Sequence, residues 1–270
     1  MRTYSKNRTI YTVLIGLCML GFWLFENFYT PDTYSESERP IADNAFPSDY
    51  LPSTTTGEIV QHSHFSLSYN ERYEQAEWVA YALQKEHLTY DDRERPYFIE
   101  DPYVSTKSAD WRNYKGSGYD RGHLVPAGDR RFSKQAYDET FYTSNISPQN
   151  HEFNAGVWNR LEMQTRKWAK RYKTLYIITG GILVTGLDEI GDEDVAVPDY
   201  FYKVIAKENK GDLDVLAFLM KGEEQNKPLQ KFVVPLDRIE ELTGIDFFYE
   251  INKGAQASIE RNVVLNNWKF

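Results

Sequence analysis

Gly118-Tyr119-Asp120-Arg121-Gly122-His123-Leu124-Val125-Pro126-Ala127-Gly128-Asp129 is the first of two stretches on which the reading of this chain turns. The second is Asn145-Ile146-Ser147-Pro148-Gln149-Asn150, which leads into Asn154-Ala155-Gly156-Val157-Trp158-Asn159-Arg160-Leu161-Glu162. An imidazole titrates near neutral pH, so His123 can accept a proton from water. Gly122 beside it lets the backbone approach something bulky or adopt an unusual angle. Arg121 brings a permanent charge and a fork of donors matched to phosphate oxygens. On these residues alone His123 stays open to a structural reading as well as a catalytic one. Downstream, Leu161, Trp168 and Ala169 fall near helical spacing. With a helix beginning near Asn154, Glu162 lies about 80° round the axis and about 12 Å along it. Both could then face one cleft without chelating the same ion directly. Mg²⁺ keeps most of its waters and takes one or two oxygen ligands, so an Asn carbonyl with Glu162 on the ion's waters makes a workable site. The competing reading is an N-cap Asn and an exposed helix Glu.

The chain has 270 residues, among them 20 Tyr, 15 Phe and 6 Trp, so it can bury a sizeable core and is not disordered throughout. Its net charge of -9 argues against a polyanion partner, but the charge is unevenly spread. Residues 107–173 hold 13 Lys and Arg against 7 Asp and Glu, which is +6 and leaves -15 for the remainder. The positive third is the one that carries both motifs. Cys18 is the single cysteine, which excludes a disulfide framework, a zinc–thiolate site and a thiol nucleophile from the rest of the chain.

Residues 9–25 form a 17-residue run without charge, preceded by Arg2, Lys6 and Arg8 and followed by Glu26 and Asp32. That length suffices for a membrane-spanning helix, and the basic flank would stay in the cytoplasm. The expected organisation is therefore a cytoplasmic N-terminus (1–8), a transmembrane signal anchor (9–25), a flexible linker punctuated by Pro31, Pro40, Pro47 and Pro52 (26–60), and a globular domain (61–270). This predicts a single-pass membrane protein with its domain in the periplasm or outside the cell. Secretion after signal cleavage is the alternative, although Glu26-Asn27-Phe28-Tyr29 makes a poor cleavage site.

Within the globular part, Phe65 to Tyr69 alternates like a strand, and Glu74 to Lys85 reads as a helix with Trp78, Val79, Ala82 and Leu83 on one face. Thr174 to Thr179, ended by Gly180-Gly181, predicts a buried strand. Tyr200 to Ala206 and Asp214 to Met220 flank Glu208-Asn209-Lys210-Gly211 and predict a hairpin. Phe232 to Val234 reads as a strand, followed by a short helix opened by Pro235 and closed by Gly244. Strands and helices mix without βαβ alternation, so the class is α+β.

The motif blocks together resemble the DNA/RNA non-specific endonuclease family. Asp120-Arg121-Gly122-His123, Asn145-Ile146-Ser147-Pro148-Gln149, and Asn154 with Trp158, Leu161 and Glu162 agree with it in order and spacing. Glu77-Trp78-Val79-Ala80-Tyr81, Val197-Pro198, Tyr202-Lys203-Val204-Ile205 and Leu242-Thr243-Gly244 support it more weakly. The resemblance implies a mixed or antiparallel sheet with helices and a ββα-metal (His-Me finger) motif, in which a hairpin carries the His and the next helix the metal ligand. It implies that His123 is the base that activates water and that Asn154 is the one direct protein ligand of Mg²⁺, Mn²⁺ or another divalent ion. Glu162 would organise water around that ion. Arg95 would face the phosphate, with Arg93 close by as the other candidate, and Arg121 would assist. The implied substrate is DNA, RNA or both, cut with little sequence preference to leave 5′-phosphate and 3′-hydroxyl ends. A membrane-anchored receptor that captures nucleic acid for uptake without cutting it is the alternative reading, and a phosphodiesterase on small substrates is a further one.

Overall fold

A computed structural model describes residues 2–29, 45–56, 58–224, 227–261 and 263–270. The chain divides into two units, 1–33 and 34–270. The first is a single helix, α1 (Arg2–Phe28), in which Asn7–Phe25 is long and apolar enough to cross a bilayer. The expected flexible linker over 26–60 lies partly outside the described residues. From residue 45 on, its chain is folded onto the second unit: Phe46 is buried, Ser53 N donates to Asp246 O at 2.9 Å, and Trp78 Nε1 donates to Ser53 O at 2.9 Å.

The second unit opens with β1 (Ile59–Gln61), β2 (Ser66–Asn70) and β3 (Gln75–Gln84). A long loop leads to β4 (Asp120–His123), α2 (Lys134–Glu139) and β5 (Ile146–Gln149). A helical run follows, made of α3 (His151–Phe153), a π-helical turn (Asn154–Trp158) and α4 (Asn159–Tyr172). Then come β6 (Thr174–Gly181), β7 (Asp188–Ile190), β8 (Val195–Val197), β9 (Tyr200–Asn209) and β10 (Asp212–Lys221). The last elements are β11 (Val233–Val234), α5 (Leu236–Thr243) and α6 (Lys253–Arg261). Among the described residues, one antiparallel sheet runs in the order β1-β2-β3-β6-β9-β10-β11, while β4-β5 and β7-β8 are separate two-stranded pairs. The expected α+β class holds.

Side chains alternate across the large sheet as the pleat requires. On β3, Val79, Tyr81 and Leu83 join Leu175, Ile177, Phe201 and Ile205 on the face covered by Trp158, Leu161 and Trp168 of the helical run. Trp78, Ala80 and Ala82 join Ile178, Tyr202 and Val204 on the other face, covered by Leu236 and Ile239 of α5. This double burial corrects the helix expected over Glu74 to Lys85, which is strand β3. A strand covered on both faces carries apolar residues at nearly every position, so the period of two disappears from its sequence. The neighbouring hairpin shows the opposite case. Asn209 and Asp212 pair across Lys210-Gly211, both at positive φ, as a two-residue turn demands. Gly244 likewise sits at φ +71°, its N–H donating to Glu240 O at 2.8 Å to end α5. The strand expected over Phe232 to Val234 shrinks to two residues, since Leu229–Phe232 is a 3₁₀ turn.

The β6 strand enters its glycine pair with no room to spare. A Cβ on Gly180 would collide with the Glu77 carbonyl oxygen and the Tyr202 ring. Replacing Gly180 with Ala is therefore expected to cost about 1–3 kcal/mol of stability, read as a lower urea midpoint with an unchanged m-value.

Candidate active site

Strand β4 pairs antiparallel with β5, Asp120 opposite Gln149 and His123 opposite Ile146. Gly122 is the residue that permits this pairing. A Cβ there would overlap the buried Gln149 side chain, which is the bulky neighbour anticipated beside the glycine. From this strand, Asp120 reaches the helical run while Arg121 and His123 meet a cluster of rings.

Asn150 begins the helical run, its Oδ1 accepting from Glu152 N at 2.9 Å and Phe153 N at 3.4 Å. The run thus starts before Asn154. It then widens: Asn159 N donates to Asn154 O, and Gly156 leaves helical geometry at φ -96°, ψ -105°. Such π turns recur at functional sites because they redirect a side chain without ending the helix. The regular-helix angle expected between Asn154 and Glu162 therefore does not apply. Asn154 donates from Nδ2 to Asp120 Oδ2 at 2.9 Å, and His151 Nδ1 lies 2.9 Å from the same oxygen. A carboxylate can only accept, so Asp120 fixes which end of the amide faces it and turns the Asn154 Oδ1 carbonyl away.

Glu162 lies one turn before Arg166, whose Nη2 is 3.4 Å from its Oε2 and whose Nε is 2.5 Å from Asp129 Oδ1. Burial raises the Glu162 pKa to about 7, while Lys203 and Arg166 pull against it. Burial also works against the Arg166 charge, but Asp129 and Glu162 hold its pKa above the ordinary value. Lys203 on β9 is fully buried on the same face of the sheet as Trp158. Among the described residues its Nζ has no hydrogen-bond partner; it sits 4.7 Å from the Trp158 ring centre, and burial lowers its pKa to about 8.

His123 is partly exposed, but its Nε2 is enclosed and has no hydrogen-bond partner among the described residues. Nδ1 is the nitrogen left for solvent. Phe98 and Phe141 lie 5.6 Å and 5.0 Å from the ring. Burial, and then the Arg95 and Arg121 charges, bring its pKa down to about 3. Arg95 is the exposed one of the two arginines considered for the phosphate. Arg93 is tied elsewhere, donating from Nε to Arg131 O at 3.0 Å and from Nη2 to Asp91 at 3.3 Å. Arg121 is half-buried over the rings of Phe98 and Trp111.

Of the expected residues, His123, Arg95 and Arg121 gather around Phe98. Asn154 and Glu162 are fastened separately, one to Asp120 in β4 and the other, through Arg166, to Asp129 just beyond it. The sequence reading gave no role in the site to Asp120, Asp129, Arg166, Lys203, Phe98 or Phe141, although Asp120 and Lys203 stand in the motif blocks. The four-residue step from Glu162 to Arg166 was a usable signal for one of these contacts. The others depend on approaches between distant stretches.

Comparison with known proteins defines the class as a nuclease. Residues 43–254 match a family model described as DNA/RNA non-specific endonuclease. The chain belongs to that family. It is 34% identical over 235 residues to a mitochondrial nuclease EXOG of Xenopus laevis, covering 81% of this chain but 64% of that protein's length. It is 34% identical to the mitochondrial endonuclease G of Homo sapiens, over 70% of this chain and 69% of that one. A mitochondrial nuclease of Saccharomyces cerevisiae is 32% identical over 93% of this chain and 89% of its own length. A solved structure described as the EndoG/EndoGI complex, showing the mechanism of EndoG inhibition, superposes with a TM-score of 0.67 at 33% identity, over 72% of this chain and 87% of that one. Its antiparallel α+β architecture is the one seen here.

These relatives correct the expected location. They are mitochondrial nucleases, which overturns the single-pass protein with an extracytoplasmic domain. Hydrophobic length does not separate a membrane anchor from a targeting segment. The N-terminal stretch, with Arg2, Lys6 and Arg8 and no acid before Glu26, is compatible with a mitochondrial targeting sequence.

A depressed imidazole pKa means that His123 is neutral well below pH 6.5, and that protonating it favours the unfolded chain as pH falls. In an NMR titration of the free protein, its ring resonances should show no inflection between pH 5 and 8. A midpoint near 6.5 would show that the rings and arginines do not act on it.

Proposed function

We propose that the chain hydrolyses phosphodiester bonds in the backbone of DNA, RNA or both with little sequence preference. His123 is the base, and the cut leaves 5′-phosphate and 3′-hydroxyl ends. The observation that carries this reading is geometric: His123 stands beside two guanidiniums suited to phosphate, Arg95 and Arg121, all three against the ring of Phe98. Nδ1 accepts a proton from water as the water oxygen bonds to phosphorus and the bond to the 3′ oxygen breaks, with solvent returning a proton to that oxygen. Arg95 and Arg121 hold the phosphate oxygens and offset the charge that grows on them. Contacts of this kind read no base, which accounts for weak sequence preference.

A divalent ion of the Mg²⁺ type, with Mn²⁺ or another hard cation as a substitute, suits the donor set. Asn154 Oδ1 is aimed away from Asp120 as a single neutral ligand. Glu162 is a buried acid, its pKa raised by burial against the pull of Lys203 and Arg166, and its carboxylate would accept hydrogen bonds from an ion's waters. Held by Asn154, with Glu162 on its waters, such an ion would supply positive charge against the negative charge that develops during cleavage. The β4–β5 pair and the helical run after it then constitute the ββα-metal motif. In the same proposal, the domain spans residues 61–270, with Phe46 and Ser53 upstream packed against it, and α1 directs the chain to its compartment.

With circular DNA and with RNA as substrates, His123→Ala is expected to lower the rate about 10²–10⁴-fold while the far-ultraviolet circular dichroism stays the same. A variant that cuts at the wild-type rate would overturn the base assignment. Asn154→Ala should remove activity together with metal dependence, and undiminished cutting in excess chelator would remove the ion from the mechanism. Asp120→Asn loses the acceptor-only anchor of Asn154. It should raise the Mg²⁺ concentration for half-maximal rate by about 10–100-fold, as loss of a ligand's supporting contact does.

A further inference from the structure

The ring of Phe98 touches every group on the base side of the site. Arg121 Cζ lies 4.7 Å from its centre and Arg95 Cζ 5.3 Å, while the His123 and Phe141 rings are 5.6 Å and 5.2 Å away. Two more rings extend the pattern, Trp111 at 5.7 Å from Arg121 Cζ and Phe141 at 5.6 Å from Arg95 Cζ. Rings and cations thus alternate in the order Trp111, Arg121, Phe98, Arg95, Phe141.

Two guanidiniums that converge on one phosphate repel each other before the phosphate arrives. The negative face of an aromatic ring attracts a cation, so a ring shared by both offsets part of that repulsion and limits where each can stand. The ring here is itself fixed. Phe98 is buried, and the next residue, Ile99, pairs with the chain at 141–143: Ile99 N donates to Phe141 O at 3.4 Å and Thr143 N to Ile99 O at 3.0 Å. Two residues further on, the buried Asp101 carboxylate accepts from Tyr103 N at 2.9 Å and Ser144 Oγ at 2.5 Å, and lies 2.9 Å from His62 Nε2. The arginines adapt to Phe98, because Phe98 cannot adapt to them.

We propose that Phe98 is a positioning residue for phosphodiester cleavage: its ring sets the spacing of Arg95 and Arg121 so that both reach one backbone phosphate beside His123. This rests on the roles given above to His123, Arg95 and Arg121. Phe98 touches no substrate and acts through the two guanidiniums. An aliphatic side chain of similar volume fills the same space but offers no π face to hold them.

The test compares full-length wild type with Phe98→Leu, Phe98→Tyr, Arg95→Ala and the Phe98→Leu/Arg95→Ala double variant, cutting circular DNA at saturating Mg²⁺. Phe98→Leu is expected to lower kcat/KM about tenfold, the scale of one or two lost cation–π contacts. Phe98→Tyr keeps the ring and should recover most of that loss. In the Arg95→Ala background, Phe98→Leu should cost clearly less than in the wild type, because part of what it acts through is gone. An equal cost in both backgrounds would reduce Phe98 to core packing and overturn the proposal. So would a Tyr variant as slow as the Leu variant, or a Leu variant as fast as wild type. Phe98→Met, a more adaptable filler, carries the same expectations, so a folding defect in the Leu variant leaves the test intact. Full activity in His123→Ala would strike the underlying base assignment instead, and the coupling between Phe98 and Arg95 would stand or fall separately.

Discussion

One carboxylate, that of Asp120, joins the two halves of the site. From strand β4 it holds Asn154 Nδ2 and lies against His151, so the start of the helical run is fastened to the strand that ends in His123. Without that contact the helix could slide along the sheet with its apolar face still buried, since dispersion and hydrophobic contacts are not directional. Gly122 brings β5, and the Asn150 cap just after it, close enough for the contact to form. The π turn then sets the phase in which the rest of α4 leaves the strand.

Charge is distributed to match this division. The side around Phe98 is positive and half-dry, with Arg95 and Arg121 on aromatic rings beside His123. The side around Glu162 is a buried network in which Asp129, Glu162, Arg166 and Lys203 counter one another. The acidic residues that make the chain negative overall lie mostly elsewhere in the sequence. A net charge of -9 therefore says little about a partner that meets only one face.

Much of the fold was legible where one physical signal dominated. The β9–β10 hairpin followed from Lys210-Gly211, α5 from Pro235 and Gly244, and α4 from the spacing of Leu161, Trp168 and Ala169. β3 was misread because its two buried faces erase the alternation that marks a strand, and Ala76, Ala80 and Ala82 imitate helix composition. The separate motifs identified the site residues as candidates, but not the groups that hold them. Asp120 and Asn154 are 34 positions apart, and nothing local in either marks the bond between them. Phe98 looked like any core ring until the guanidiniums on it were seen. Location was misjudged for another reason: an apolar run of sufficient length with basic residues before it fits more than one kind of N-terminal segment.

The chain reaches β5 only after a 22-residue excursion from β4, and Phe98 meets Phe141 across a still longer one. Arg95, His123 and Asn154 thus come from separate stretches brought together by long-range closure, which forms late compared with local turns. Until those closures form, the three side chains stand apart, so the site exists only in the folded chain. The topology itself thus ties assembly of the site to completion of the β4–β5 pairing and of the contact between Ile99 and the chain at 141–143.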